Sequence, residues 1–466
     1  MACLHTIIRA SEPGNTMIQT DKMSRRPGGM AEVFLMAYPT VITMFAHALM
    51  GVADTVMVGR LGTAELAAVG FTHVLYFTLL SVFMGTVEIV NTFASQSYGA
   101  GEMKESSHRC WQAIYMALMA WPVAIVISFF FEDLFRLLGP SPEVQALGTS
   151  YGTIRMYGSG PFLVYIALAF YFRGVGMVKT PMISAIVMNL VNVTLDYVLI
   201  FGKFGFPAMG VEGAAWASNI GIVVAAALLF VIFMWPNINR RFKTRSTYRP
   251  DPKLIWRMTK VGLPAGIQFF IDIAAFTVFI AFIGRMGDVA LAASNIALQI
   301  ENLGFNVCWG FTVATNTLVG QYIGAKKPEL AIRSVGSSWR MVIIYLLTLL
   351  AVITIFPSEL LGLFTEDELV INKGVMVLCL AMTFMLFDGM GMIAVGALRG
   401  AGDTRLPMVI ALVAAWGFFL PFAYLVGGVM KGGVVGAWAA AAVYIVGVSS
   451  VYILRFRSGR WKDIEI

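Results

Sequence analysis

The chain has 466 residues, of which 58% are hydrophobic and only 13% are charged. Soluble domains have about 45–50% apolar and about 25% charged residues, so the excess apolar side chains must face lipid. This composition excludes a soluble enzyme, a disulfide-rich scaffold and a disordered chain. The net charge of +7 indicates the topology of a membrane protein and does not indicate nucleic-acid binding.

Residues 1–30 are mixed polar and charged and contain no apolar run, so they do not predict a cleavable signal peptide. We expect either a disordered cytoplasmic tail or an extension ahead of a true start at Met23 or Met30. The four cysteines lie far apart and form no C-x-x-C motif, which supports neither a disulfide framework nor a zinc site.

Twelve apolar segments are each long enough, at about 20 residues, to cross a bilayer as a helix. In chain order the predicted spans cover residues 33–57, 65–96, 108–130, 144–172, 181–201, 212–235, 258–283, 289–322, 334–356, 369–398, 406–428 and 433–454. We therefore predict an all-α polytopic membrane protein.

The basic residues predict how these spans are oriented. With the N-terminus inside, the cytoplasmic segments contain 26 of the 33 Lys and Arg residues, and the outer loops contain five. We therefore expect both termini in the cytoplasm.

The two halves of the chain are related by an internal repeat. Gly, Pro and Arg positions recur at an offset of 225 in the early spans and 226 in the later ones. For example, Arg173-Gly174-Val175-Gly176 corresponds to Arg399-Gly400-Ala401-Gly402. The predicted domains are a tail at 1–30, an N-lobe at 31–235, a cytoplasmic linker at 236–257, a C-lobe at 258–455 and a tail at 456–466.

Six spans in each half give both halves the same orientation, as in transporters built from parallel repeats. Such transporters bind substrate between the halves and rock one half against the other. Prolines within spans fit this motion because they can kink a helix, although static packing is the alternative. They are Pro39, Pro122, Pro161, Pro264 and Pro421.

Ionisable groups inside a membrane are costly and are functional candidates by default. Six carboxylates lie in the interior of the predicted spans, away from the first and last residues, namely Asp54, Glu88, Asp196, Asp272, Glu301 and Asp388. At about 1.5 Å per residue, basic anchors put Asp54 and Asp196 about 10 Å below the outer surface. The same estimate puts Asp272 and Asp388 about 17 Å above the inner surface. Each half is thus predicted to contain one acidic pair at matched depth.

The first acidic pair predicts a small-cation site. Asn192 and Asp196 are four residues apart and share one helix face. Together with Asp54 and a Ser or Thr hydroxyl, they supply the oxygen ligands that suit Na⁺.

The second pair lies among aromatic and Met residues, which suit a bulky lipophilic cation. These residues are Phe269, Phe270, Phe276, Phe384, Met385, Phe387, Met390 and Met392. Core packing or lipid contact is the alternative for each of them. Glu88 and Glu301 remain open between a functional role and internal pairing, because Arg155 needs a buried partner.

Five segments of the sequence have distinctive motifs, namely Gly51-Val52-Ala53-Asp54-Thr55-Val56-Met57-Val58-Gly59-Arg60-Leu61-Gly62, residues 192–202, residues 210–218, Pro264 with an acid eight residues later, and residues 397–404. These motifs resemble those of the MATE family (multidrug and toxic compound extrusion). The resemblance extends over roughly residues 31–455 and includes the twelve spans and the repeat.

The resemblance implies a secondary antiporter that exports organic cations in exchange for Na⁺ or H⁺ and needs no cofactor. By position, Asp54, Asn192 and Asp196 match the cation site of the family's N-lobe. Ser218 is the nearest candidate for the hydroxyl of that site.

In the C-lobe, Asp272 and Asp388 match the acids of the NorM-like branch, and Asn295 is assigned to the same substrate or proton site. Asp272 stands where a Glu is usual, and Phe384 stands where a Tyr is usual. Both departures favour substrate or proton binding there over metal coordination.

The predicted function is efflux of small cationic or amphipathic drugs by a monomer in a bacterial inner membrane. The alternative is a lipid-linked oligosaccharide flippase on a related two-lobe fold, but the spans offer chiefly Arg155 as a basic residue for a diphosphate. A non-transporting membrane sensor is a rival from another class and would show no ion-driven flux. Motifs of ATPases, hydrolases and dinucleotide-binding enzymes are absent, so no enzyme is predicted.

Overall fold

The computed structural model of the chain describes residues 26–464 and residue 466, apart from the side chains of residues 137 and 138. Most of the predicted tail, residues 1–25, lies outside the described residues. Within residues 26–464 the chain is helical almost throughout and contains no β-strand.

The first half of the chain forms α1 (Met30–Gly59), α2 (Thr63–Glu88), α3 (Val90–Gly99), α4 (Met103–Ser128), α5 (Phe131–Leu138), α6 (Pro142–Tyr157), α7 (Ser159–Gly174), α8 (Lys179–Phe201), α9 (Gly210–Phe233) and α10 (Pro236–Phe242). The second half forms α11 (Pro252–Gly284), α12 (Asp288–Gly324), α13 (Pro328–Ile355), α14 (Pro357–Gly362), α15 (Glu368–Ala401), α16 (Arg405–Leu412), α17 (Leu420–Tyr424) and α18 (Gly433–Arg457). Short 3₁₀ turns lie at Thr244–Ser246 and Arg460–Asp463.

Ten helical segments of the described chain are long and apolar enough to cross a membrane. They coincide with ten of the twelve predicted spans. The other two predicted spans are occupied by α6 with α7 and by the long helix α12. The all-α polytopic fold class is therefore confirmed, and the structure is consistent with a count of twelve.

The predicted fourth span is not one helix, because it breaks at Gly158 between α6 and α7. The Gly158 amide donates to the Arg155 carbonyl, as in a 3₁₀ turn, at 3.1 Å. The Ile154 carbonyl accepts instead from Nδ2 of Asn219 on α9, at 2.6 Å. A β-carbon at residue 158 would overlap the Asn219 side chain, so the break requires glycine. Pro161 consequently lies in the first turn of α7, where proline costs no helix bond.

The predicted eleventh span also departs from a regular helix. Two π-helical stretches, Val413–Phe419 and Leu425–Val429, flank the short helix α17. Pro421 is the second residue of α17 and has no N–H group to donate. Because this hydrogen bond is missing, the helix widens into π-helical turns before and after Pro421.

The described residues form two compact units. The first unit contains residues 42–266, and the second contains residues 26–41 together with residues 267–464 and residue 466. Helices α1 and α11 therefore each begin in one unit and continue into the other. The predicted lobes follow the sequence repeat, whereas these units follow spatial packing.

The sequence repeat reappears in the packing inside each unit. In the first unit, a β-carbon at Gly174 would come within 2.9 Å of the Asn91 carbonyl oxygen. In the second unit, Gly400 lies against the backbone of Asn316 in the same way. The partners correspond at the offsets of 225 and 226 found in the sequence. Both units thus use one glycine-mediated helix contact, in which the absence of a side chain lets two helices approach closely.

Candidate ion and substrate sites

Close packing of α8 against α9 brings polar residues of the first unit together. A β-carbon at Gly213 would lie 2.8 Å from the Leu199 backbone, and one at Gly221 would lie 3.1 Å from the Met188 carbonyl oxygen. Ser218 lies between these two glycines on α9. Its Oγ is 3.4 Å from Nδ2 of Asn192 on α8, which donates to it.

Asp196 lies one turn after Asn192 and is fully buried. Its carboxyl group interacts directly with the carboxyl group of Asp54 on α1. Both oxygens of Asp196, Oδ1 of Asp54 and Oδ1 of Asn192 are buried without a hydrogen-bond partner among the described residues. Two adjacent carboxylates repel each other unless a proton or a cation compensates them. The donor set of two carboxylates, an amide oxygen and a nearby hydroxyl fits a small cation.

Arg155 on α6 lies within electrostatic range of this acidic pair and interacts with both carboxylates. Its Nη1 donates to Oδ1 of Asn219 at 2.9 Å, and its guanidinium lies over the Tyr76 ring at 4.8 Å from the ring centre. Of the alternatives left open for Glu88 and Glu301, pairing with Arg155 is not favoured, because the electrostatic neighbours of Arg155 are Tyr76, Tyr151, Asp54 and Asp196. The residues that surround Arg155 come from α1, α2, α6, α8 and α9 and lie far apart in the sequence.

Glu88 has a different cationic neighbour. Its carboxylate interacts electrostatically with Arg173 on α7. Arg173 is buried, and its guanidinium lies 4.7 Å from the centre of the Phe170 ring. This geometry favours internal pairing as the role of Glu88.

The second unit brings three carboxylates together from three helices. Asp272 on α11 interacts electrostatically with Asp388 on α15, and Glu301 on α12 interacts with Asp388 as well. All three side chains are half-buried. Across the described chain, no group of three or more His, Cys, Asp or Glu residues has a geometry that could hold a metal ion. Carboxylates that lie close together repel one another, so this cluster can take up a proton or another cation that compensates the charge.

A polar chain extends from this acidic cluster. Arg399, which interacts electrostatically with Asp272, donates from Nη2 to Oε1 of Gln268 at 3.1 Å. Nε2 of Gln268 donates to the Tyr452 hydroxyl at 3.4 Å, and that hydroxyl donates to the Pro407 carbonyl at 3.3 Å. In this network of hydrogen bonds, the neutral amide of Gln268 holds the positive charge of Arg399 near Asp272.

The predicted aromatic and Met wall divides into three groups by burial, of which the half-buried one contains Phe269, Phe276, Met390 and Met392. Phe384 and Met385 are buried, and the tip of Met385 packs against Gly304 of α12, so both are core residues. Phe270 and Phe387 are exposed. Asn295 is exposed on α12, six residues before Glu301, which is about 120° away around the helix. Its assignment to the acidic cluster stays a prediction.

Several residues around these sites were not predicted from the sequence, including Asn219 and Gln268. Asn219 is a polar residue within the sixth span and directly follows Ser218. Gln268 precedes Asp272 by four residues and therefore shares its helix face. A search for polar residues next to the acids would have found both.

The fold is that of an α-helical, multi-pass membrane protein with acidic residues gathered in each of two repeated units. The sequence model of the MatE family matches residues 39–198 and 264–425, and the chain belongs to that family. The family consists of transporters and not of enzymes.

The chain is similar to the probable multidrug resistance protein NorM of Thermotoga maritima, at 28% identity over 92% of this chain and 93% of that protein. It is also 28% identical to the multidrug resistance protein PmpM of Pseudomonas aeruginosa, over 90% of each chain. Among solved structures, an outward-facing multidrug resistance MATE transporter of the MOP superfamily matches with a TM-score of 0.85. That match has 19% identity and covers 92% of this chain and 95% of that one.

Proposed function

We propose that this protein is a secondary active multidrug efflux antiporter that exports small cationic or amphipathic drugs in exchange for Na⁺ or H⁺. The observation that carries this proposal is the pair of Asp54 and Asp196, in which both oxygens of Asp196 and Oδ1 of Asp54 are buried and have no hydrogen-bond partner among the described residues. Two carboxylates within a membrane cost free energy, and a bound cation would compensate that cost in a transporter. The names of the NorM and PmpM relatives support drugs as the cargo.

The two units are assigned different tasks. Asp54, Asn192, Asp196 and Ser218 hold the coupling ion in the first unit. Asp272 and Asp388 attract the cationic substrate or a proton in the second unit, with Glu301 adding negative charge beside them. The duplicated scaffold therefore carries two distinct sites.

Transport follows alternating access of two lobes, at residues 31–235 and 258–455. Ion binding from outside compensates the buried acids and favours release of drug, and loss of the ion inside restores the drug-binding state. Coupling requires the ion to bind the two states with different affinities, because equal affinity would shift nothing. When one monovalent drug cation is exchanged for one ion, each tenfold ratio of the ion concentration across the membrane supplies about 1.4 kcal/mol to drive export. A second ion would add about 2.3 kcal/mol per 100 mV of membrane potential.

We also propose that the protein acts as a monomer in the inner membrane of a bacterial cell, without a cofactor. Both termini then lie in the cytoplasm, consistent with the 26 basic residues of the cytoplasmic segments.

Ethidium efflux from proteoliposomes tests this function. A Na⁺ gradient and a pH gradient are imposed in turn, and we expect one of them to accelerate efflux at least tenfold over protein-free vesicles. Absence of acceleration by either gradient would contradict antiport. Movement of a lipid-linked oligosaccharide under the same conditions would instead favour the flippase.

A further inference from the structure

The Arg155 guanidinium is a fixed positive charge beside the Asp54–Asp196 pair. The side chain is 8% exposed, and its electrostatic neighbours include both carboxylates. An arginine stays protonated in proteins, so this charge is present whatever the acidic pair binds.

Arg155 is held next to the acids without occupying their oxygens. Its hydrogen bond goes to the neutral amide of Asn219, and the same amide bonds to the Ile154 carbonyl at the break between α6 and α7. Within the described chain, both oxygens of Asp196 and Oδ1 of Asp54 accept no hydrogen bond. The guanidinium thus contributes its charge to the site, while the oxygens stay available to another cation.

We propose that Arg155 sets the charge selectivity and the affinity of the cation site in the first unit, and that Asn219 is its positioning residue. Two ionised carboxylates alone carry a charge of −2, which favours a divalent ion or two monovalent ions. Arg155 reduces the local charge to −1, which matches one monovalent cation and weakens its binding enough for release. This proposal rests on the proposed function, because it concerns the ion site named there.

Coulomb's law predicts how the effect of Arg155 on ion affinity depends on the charge of the ion. The interaction of Arg155 with a bound ion is repulsive and proportional to the charge of that ion. Removing the guanidinium charge should therefore change the binding free energy of a divalent ion about twice as much as that of a monovalent ion. The fold-change in affinity for Ca²⁺ is then about the square of the fold-change for Na⁺.

The test is isothermal titration calorimetry of the full-length protein in lipid nanodiscs, with Na⁺ or Ca²⁺ as the titrant at fixed pH and ionic strength. In Arg155→Gln we expect the Na⁺ affinity to rise about tenfold and the Ca²⁺ affinity about 100-fold. Arg155→Lys keeps the charge and should leave both affinities within about threefold of the wild type.

Two further variants separate charge from structure. Asn219→Asp leaves Arg155 in place but pairs it with a carboxylate, so it should raise the Ca²⁺ affinity more than the Na⁺ affinity. Arg173→Gln removes another buried guanidinium, the one near Glu88, and should leave the ratio of the two affinities unchanged.

Equal fold-changes for Na⁺ and Ca²⁺ in Arg155→Gln would overturn the proposal, and so would a weaker Na⁺ affinity. The absence of any Na⁺ or Ca²⁺ response in the wild type and all variants would overturn it as well. If Arg155→Gln fails to fold, the proposal is tested in Asn219→Asp by the same comparison, that of the change in Ca²⁺ affinity with the change in Na⁺ affinity. Failure of the proposed function is seen separately, as ethidium efflux that neither gradient accelerates.

Discussion

Gly174 lies against the carbonyl oxygen of Asn91, to which a β-carbon at residue 174 would come within 2.9 Å. Gly400 and Asn316 repeat this contact in the second unit. The repeat of the sequence is therefore also a repeat of helix packing. Because backbone atoms cannot move aside as a flexible side chain can, neither glycine tolerates a larger residue.

Gly174→Val and Gly400→Val should each destabilise the protein, by about 1–3 kcal/mol if overpacking is the dominant effect. The measurement is the thermal unfolding midpoint of the detergent-solubilised protein. Gly447→Val in α18 is the matched control, because a β-carbon there meets nothing within 4 Å. Equal losses at residues 400 and 447 would show that backbone propensity, and not the helix contact, is responsible.

Asp54→Asn and Asp196→Asn should each abolish gradient-driven ethidium efflux while the protein still inserts and folds. Each change removes a negative charge from the cation site but keeps nearly the same shape. Asp133→Asn is the control, because Asp133 is an exposed acid whose nearest cation is Arg136 at 3.8 Å. Wild-type efflux rates in both site variants would contradict the assignment of the ion site.

Gln268→Met should raise the half-saturating drug concentration several-fold, because methionine keeps the volume but cannot hold Arg399. Gln268 accepts from Arg399 at 3.1 Å, and Arg399 acts electrostatically on Asp272. The comparison variant is Gln268→Glu, which keeps an acceptor for the guanidinium and should retain its position. A concentration dependence of efflux that is unchanged in Gln268→Met would show that this hydrogen bond does not influence the acidic cluster.

Arg455→Ala should lower stability by about 3–5 kcal/mol, because it leaves the carboxylate of Asp403 buried and unpaired. The two charges are 2.9 Å apart, with side-chain exposures of 19% and 7%. Arg136→Ala is the matched control, since Arg136 pairs with Glu132 on the exposed surface of α5, where such pairs contribute about 0.5 kcal/mol. Thermal unfolding midpoints measure both. Similar shifts in the two variants would contradict a structural role for the buried pair.

The sequence by itself determined the features that depend on local periodicity and composition. Apolar runs of sufficient length predicted the all-α class and its spans, because a bilayer requires helices of that length. The spacing of Asn192 and Asp196 predicted a shared helix face, since residues four apart are neighbours on a helix. Five of the six acids singled out within the spans, all except Glu88, are also the acids that the structure gathers in the two units.

Only the tertiary structure decided which helices meet. It brought Arg155 to Asn219 and the aspartate pair, Glu88 to Arg173, and Glu301 to Asp388. The fourth predicted span breaks at Gly158, because the Asn219 side chain fills the space that a β-carbon would need there. The Asn219 amide also donates to the Ile154 carbonyl, which the break leaves without a partner in the helix. These outcomes depend on contacts between residues distant in sequence, which are set by the close approach of glycine-lined helices. Local periodicity contains no information about such contacts.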